Sequence, residues 1–222
     1  MSPMLSMVVL LMAVTAQPEI ESSRAGLTMS FDARVVRDAP YSAIAEIETT
    51  KEVGRDRFRT TSRMVIYRDA DGRTRRENTF EGTTQSTTIF DPIAGFRYSF
   101  KPGGRTAYRV PAAAGPRVEA LKKTTPTIES LGNRVIEGLT CEGKRTTTVY
   151  PVNAIGNQSP FRVVTEEWYS PELQVLVLTI HDDPRMGKTT YRLTKIARRE
   201  PDAALFRVPA ALAIEDISAR LR

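Results

Sequence analysis

Few side chains in this sequence are equipped to move protons, attack a carbonyl or hold a metal, and they are scattered along the chain. His181 is the only histidine, and Asp182 and Asp183 follow it. Such a trio could supply a general base beside a carboxylate, or part of a weak cation site, but Pro184 and Gly187 make the stretch read as a hairpin end. Glu46 and Glu48 fall on one side of a strand by their spacing, and Glu166 and Glu167 precede Trp168. Carboxylates facing one another across a cleft would suit glycoside hydrolysis. Amid so many arginines, ion pairing across neighbouring strands is their expected fate. Cys141 is the single cysteine, which excludes an internal disulfide and predicts a small buried apolar side chain. One histidine and one cysteine are too few for the usual zinc site, so no metal or cofactor is expected. No GxSxG, P-loop or HExxH motif occurs. Gly103-Gly104 has no helix after it to complete a phosphate cradle. No catalytic residue is assigned.

The elements that would position these groups read as strands. Tyr41, Ala43, Ala45 and Ile47 alternate with polar neighbours, as do Leu27, Met29, Phe31, Ala33 and Val35, and Asp38-Ala39-Pro40 lies between the two runs. The pattern predicts an antiparallel hairpin, Leu27 to Val35 with Tyr41 to Glu52. A strand through Met64 to Tyr67 meets its partner, Arg73 to Phe80, across the turn Asp69-Ala70-Asp71-Gly72. Shorter strands follow at Ser86–Phe90, Phe96–Phe100 and Thr106–Val110. Residues 112–127 interrupt the rhythm, and a helical turn is expected through Val118 and Leu121, to serve as a lid or a crossover. Strands resume at Asn133–Glu137, Lys144–Tyr150, Phe161–Tyr169, Leu173–His181 and Thr189–Ile196. Leu173 to Ile180 is apolar at both parities, so something must cover that strand on each face. The tail offers one candidate cover. Ala210, Ala213, Ile214, Ile217 and Leu221 recur at helical spacing, after a proline-opened turn over Pro201–Phe206.

The fold class is therefore mainly β, a curved antiparallel sheet or incomplete β-barrel with one or two short helices as cover. Its 222 residues fit one large β domain. Met4 to Ala16 is an uncharged apolar run closing on Val14-Thr15-Ala16, which reads as a signal peptide over residues 1–16. It falls short of the roughly 20 residues that span a bilayer as a helix. Residues 17–222 would then form a single exported β-rich domain, periplasmic or secreted, and not an integral membrane protein after cleavage. The formal charge of +6 suits anionic headgroups or acidic polysaccharide. Arg55, Arg57, Arg59 and Arg63 would line one face of a strand, but without interleaved aromatics they do not suggest nucleic acid.

Several stretches resemble an uncharacterised family of exported bacterial proteins: Ala39-Pro40-Tyr41-Ser42-Ala43, Tyr67-Arg68-Asp69, Gly72 to Glu77, and Trp168-Tyr169-Ser170-Pro171-Glu172-Leu173. Asp183-Pro184-Arg185, Thr189 to Leu193 and Phe206-Arg207-Val208-Pro209 extend the likeness over nearly all of residues 17–222. That resemblance brings no activity with it. The order of short strands, the mid-chain interruption and the Phe206-x-Val208-Pro209 ending are also distantly similar to the LolA-like and RseB-like periplasmic lipoprotein carriers. That likeness implies an incomplete barrel around an acyl-binding cavity.

Three functions follow. The first is a non-enzymatic envelope protein binding a lipid, lipopeptide or lipoprotein on the concave face of the sheet, with Trp168, Leu176, Leu178 and Ile180 as candidate ligand-binding residues. The second is an interaction or sensor module contacting another envelope protein. The third is a hydrolase using the glutamates or the His181 turn.

Overall fold

The computed structural model describes residues 35–112 and 125–221, all within one compact unit, Arg34–Arg222. Expectations for the signal segment, for the strand from Leu27 and for the helical turn at Val118–Leu121 fall outside the described residues. Alternating apolar and β-branched side chains build β1 (Tyr41–Val53), β2 (Asp56–Arg68), β3 (Thr74–Phe80), β4 (Thr83–Asp91), β5 (Phe96–Phe100) and β6 (Thr106–Pro111). After the interruption come β7 (Thr127–Ile136), β8 (Leu139–Tyr150), β9 (Phe161–Ser170), β10 (Val175–Asp183), β11 (Gly187–Ala197) and β12 (Ala213–Asp216). Two single-turn 3-10 helices, Ala203–Phe206 and Ser218–Leu221, complete the described residues, and no helix among these is long and apolar enough to cross a membrane.

All twelve strands belong to one sheet, in the order β12-β6-β5-β4-β3-β2-β1-β11-β10-β9-β8-β7. Every pairing is antiparallel except β12 on β6. The sheet does not close, since β7 and β12 do not pair with each other. Sheets of more than about ten strands generally curl. The crossover presses the same way: β6 and β7 stand ten strands apart, about 48 Å along a flat sheet. Residues 112–126, fully stretched, reach little further than about 50 Å.

The hairpin turns alternate between two ends of the sheet. The turns β2–β3, β4–β5, β7–β8 and β9–β10 lie at the end marked by Arg68, and the turns β1–β2, β3–β4, β5–β6, β8–β9 and β10–β11 lie at the end marked by Val53. The turn Asp69–Gly72 forms where the sequence puts it. Gly72 sits at φ 84°, and a Cβ there would come within 2.8 Å of Val35 Cγ1 and 2.9 Å of the Val36 carbonyl oxygen.

Three expectations are corrected. Both edges of β1 are taken, by β2 and β11, so β1 forms no hairpin with residues 27–35. The strand expected at Asn133–Glu137 ends one residue early, because Glu137 (φ 50°) and Gly138 (φ 75°) form a two-residue hairpin turn into β8. The tail is not an α-helix. Its residues 213–216 add to β6, with further hydrogen bonds from Ala213 N–H to the Arg105 carbonyl and from Ile217 N–H to the Arg109 carbonyl. A free strand edge satisfies those backbone groups, whereas so short a helix would be marginal in water. The tail nevertheless supplies cover: Val208 and Leu212 pack on Ile89, Phe100 and Ala107, and Phe206 of the 3-10 turn is buried. Asp202 caps that turn by accepting from the Ala204 N–H.

Candidate functional site

Directly paired residues in a sheet point to the same face. In the central strands, Tyr41, Ala43 and Ala45 of β1 pair with Arg68, Ile66 and Met64 of β2, while Ala45 and Ile47 pair with Leu193 and Tyr191 of β11. All but the half-buried Ile47 are buried; Ala45 and Leu193 are at 0% exposure. The opposite side of the same strands carries Glu46, Val65, Tyr67 and Arg192, which are half-buried or exposed. The apolar floor of the central sheet is therefore on the Ala45 face. Two adjacent alanines there, between the larger Tyr41, Met64, Ile66 and Leu193, leave the least side-chain bulk in the middle of that floor.

Polar groups border it. Arg68 is 5% exposed; its Nε and Nη2 donate to the Ala39 carbonyl at 2.9 and 2.7 Å, and Nη2 also donates to the Leu173 carbonyl. Its guanidinium lies 4.7 Å from the centroid of the Tyr41 ring. Burial pulls its pKa below the usual arginine range, with Tyr41 and Tyr169 opposing that shift. Arg76, paired with Ile66, is buried on the same face. Burial drives the Tyr191 phenol well above its ordinary pKa, so it stays neutral. Opposite Tyr191, the buried Thr179 Oγ1 has no hydrogen-bond partner among the described residues.

The histidine motif sits at the Val53 end. His181 Nδ1 lies 2.9 Å from Thr165 Oγ1. Asp183 is occupied by Arg185, whose backbone N–H and Nε both donate to Oδ1 at 2.9 Å while Nη2 donates to Oδ2 at 2.5 Å. Burial alone would raise the Asp183 pKa, but these bonds and the Arg185 charge hold the carboxyl below its ordinary value. Arg185 in turn lies over the rings of Tyr150 and Phe161, which stack on each other with centroids 4.8 Å apart. The trio thus ends a strand and pins a turn. The glutamates are paired across strands, Glu46 with Arg63, Glu48 with Arg59, Glu166 with Arg145 and Glu167 with Lys144. Cys141 is buried, and burial raises its thiol pKa.

The four residues expected to bind a ligand do not share one face. Trp168 pairs with Leu178, and Ile180 pairs with Glu166, so these three lie on the side away from Ala45. A bulge between Leu176 and Leu178 places Leu176 opposite Tyr169, on the Ala45 side. The same bulge explains an apolar run of both parities: Val175, Val177 and Leu178 are all buried, with β9 and β11 on either side. Trp168 packs on the neighbouring strand. A Cβ on Gly143 would come within 2.6 Å of its ring, and the Arg134 guanidinium lies 5.5 Å from the ring centroid. Sequence reading missed Arg68 as a member of the site, because a basic residue closing an alternating strand looks the same whether it is solvated or buried. The alanine pair was visible as part of a half-buried strand, but its place between two central neighbours was not.

No protein-family profile matches the chain, and no curated protein does. Among solved structures, MucB in complex with MucA(peri) is similar over 86% of this chain and 62% of that one, with a TM-score of 0.50 and 12% identity. The Pseudomonas aeruginosa MucA/MucB complex matches over 85% and 62%, at 0.48 and 11%. A LolA superfamily protein from Nitrosomonas europaea matches over 83% and 98%, at 0.39 and 11%. The chain spans less than two thirds of the length of the MucB chains it matches. In fold, this chain is similar to MucB.

Proposed function

We propose that the chain is a non-enzymatic envelope protein that holds a lipid, lipopeptide or other amphipathic ligand against the Ala45 face. The observation that carries this reading is the floor itself, with two alanines at its centre, apolar side chains around them and the Arg68 guanidinium at its border. Acyl chains need an apolar surface with room above it, and an anionic headgroup needs a cation nearby. Leu176 is the one sequence-level candidate on this side. The engagement of Asp183 by Arg185 and of the paired glutamates by arginines and a lysine argues against hydrolysis at those groups.

Organic extraction of protein purified from native envelopes, followed by mass spectrometry, is the direct test. A reproducible lipid that is lost in Leu176→Arg, a half-buried position on this side, while the variant unfolds as the parent does, is the expected result. Consistently empty parent protein, or equal loading of Leu176→Arg, would overturn it. A second reading, contact with another envelope protein, has one observation in its favour: β7 is a sheet edge with Ile128 and Val135 each 68% exposed. Stoichiometric recovery of one partner, abolished by proline at Val135, would support that reading.

A further inference from the structure

The Val53 end of the sheet has a character that the ligand reading does not use. Hairpins β1–β2, β10–β11 and β8–β9 stand side by side there, because their strands are consecutive in the sheet. Each presents an exposed apolar side chain at or beside its turn: Val53 at 53%, Met186 at 46%, and Val152 at 50% with Ile155 at 39%. Phe80 extends the row at the next hairpin, β3–β4. Around these tips stand exposed cations. Arg55 and Lys188 flank them, Lys101 and Arg105 lie at the β5–β6 turn, and none of the four is in an ion pair among the described residues. Acidic groups at this end are fewer: Glu52 is paired with Arg57, and Asp56, Glu81 and Asp182 are exposed.

The β8–β9 connection adds an independent observation. Residues 151–160, Pro-Val-Asn-Ala-Ile-Gly-Asn-Gln-Ser-Pro, carry no charge. The loop satisfies much of its own backbone through Asn157: Nδ2 donates to the Pro151 and Ser159 carbonyls at 2.7 and 2.8 Å, and Oδ1 accepts from the Ile155 N–H at 3.1 Å. Asn153 N–H donates to the Asn157 carbonyl at 2.8 Å, and Ala154 N–H to that of Pro151 at 3.2 Å. Backbone groups already paired within a loop lose little on leaving water, which is the main penalty against entering a bilayer interface. At the base of the loop the stacked Tyr150 and Phe161 lie beside the Arg185 guanidinium. Aromatic and basic groups together suit headgroup depth.

We propose that this end docks on an anionic bilayer surface, the 151–160 loop and Met186 entering the interface while Arg55 and Lys188 meet headgroup phosphates. Charge complementarity selects the partner, because unpaired cations beside uncharged apolar tips match anionic lipid and not an apolar protein groove. The inference stands independently of what the Ala45 face holds.

The test uses the full chain. Cys141 is the only cysteine and is buried, so a polarity-sensitive thiol dye can be placed by Ile155→Cys, by Met186→Cys or, at the opposite end, by Ile93→Cys. With vesicles of equal parts phosphatidylcholine and phosphatidylglycerol, the dyes at 155 and 186 should shift to the blue and the dye at 93 should not. Phosphatidylcholine alone should give no shift. Arg55→Glu with Lys188→Glu should weaken the response about tenfold at low salt. Because the readout is local, vesicle binding through the apolar run Met4–Ala16 does not mimic it. No shift at 155 and 186, equal shifts at both ends, or indifference to lipid charge would each overturn the proposal.

Discussion

The two ends of the sheet are built on opposite principles. At the Arg68 end the turns are tied to one another. The Asp38 N–H donates to the Ala70 carbonyl, Ala70 N–H to the Glu200 carboxylate, and Arg73 to a buried Asp69, while Arg68 bridges the carbonyls of Ala39 and Leu173. Chain entry, the β2–β3 and β9–β10 turns and the start of the tail meet there. At the Val53 end, the ladder Arg57–Glu52, Arg59–Glu48 and Arg63–Glu46 runs along exposed strand ends, the 151–160 loop bonds largely to its own residues, and the β10–β11 turn reaches the next hairpin through Arg185 over Tyr150 and Phe161. One end fixes the fold. The other presents apolar tips that are 39–61% exposed.

If that contrast is right, the largest losses of stability come from single changes at the Arg68 end. Gly72→Val forces a β-branched residue into a left-handed conformation and drives its Cβ onto Val35 and the Val36 carbonyl. A loss of about 3 kcal/mol is expected in urea unfolding. Arg68→Met keeps the volume but leaves the Ala39 and Leu173 carbonyls without their shared donor. About 2 kcal/mol should go, and Arg68→Lys should recover part of it, since an ammonium offers fewer fixed donors. A loss under about 0.5 kcal/mol from either first change would mean that this end is not the anchor.

What was legible beforehand does not divide by end. Of the stretches that marked a family resemblance, Ala39–Ala43, Tyr67–Asp69, Gly72–Glu77 and Trp168–Leu173 lie at the Arg68 end, while Asp183–Arg185 and Thr189–Leu193 begin at the Val53 end. Alternation alone located most strands, and the β2–β3 turn followed from Asp69 and Gly72. Strand neighbours were not legible: β1 was given a partner at residues 27–35 when β2 and β11 claim both its edges. Periodicity also misled in the tail, where helical spacing gave way to the hydrogen-bonding edge of β6. The candidate ligand residues failed to share a face because one bulge reverses the parity at Leu176, and no sequence pattern announces a bulge. Loop 151–160 carries no motif at all. Its interest depends on Asn157 bonding inward and on which hairpins stand beside it.

Within the Val53 end one feature is anchored, and it sets the scale for the rest. Asp183→Asn should cost about 1 kcal/mol at neutral pH, because Arg185 loses its charged partner above Tyr150 and Phe161. The folded Asp183 pKa lies below its ordinary value, so this contribution is whole above about pH 4 and declines as pH falls through the folded pKa. The parent should therefore lose stability more steeply than Asp183→Asn in an acid titration followed by urea unfolding; parallel curves would show that the pair contributes nothing.

The smallest effects belong to the tips. Phe80→Ser and Ile155→Ser remove apolar side chains that are 61% and 39% exposed and outside the buried core, so the unfolding midpoint should move by no more than about 0.5 kcal/mol in free-energy terms. Breaking the surface pair with Arg59→Gln should stay within the same limit, since solvent already screens it. Near-zero cost at the tips matters beyond bookkeeping, because a residue that neither packs nor stabilises is free to be chosen for what it touches outside the molecule. Should Ile155→Ser destabilise the protein by more than 1 kcal/mol, its side chain would be part of the fold's own packing, and its exposure would no longer argue for an external surface.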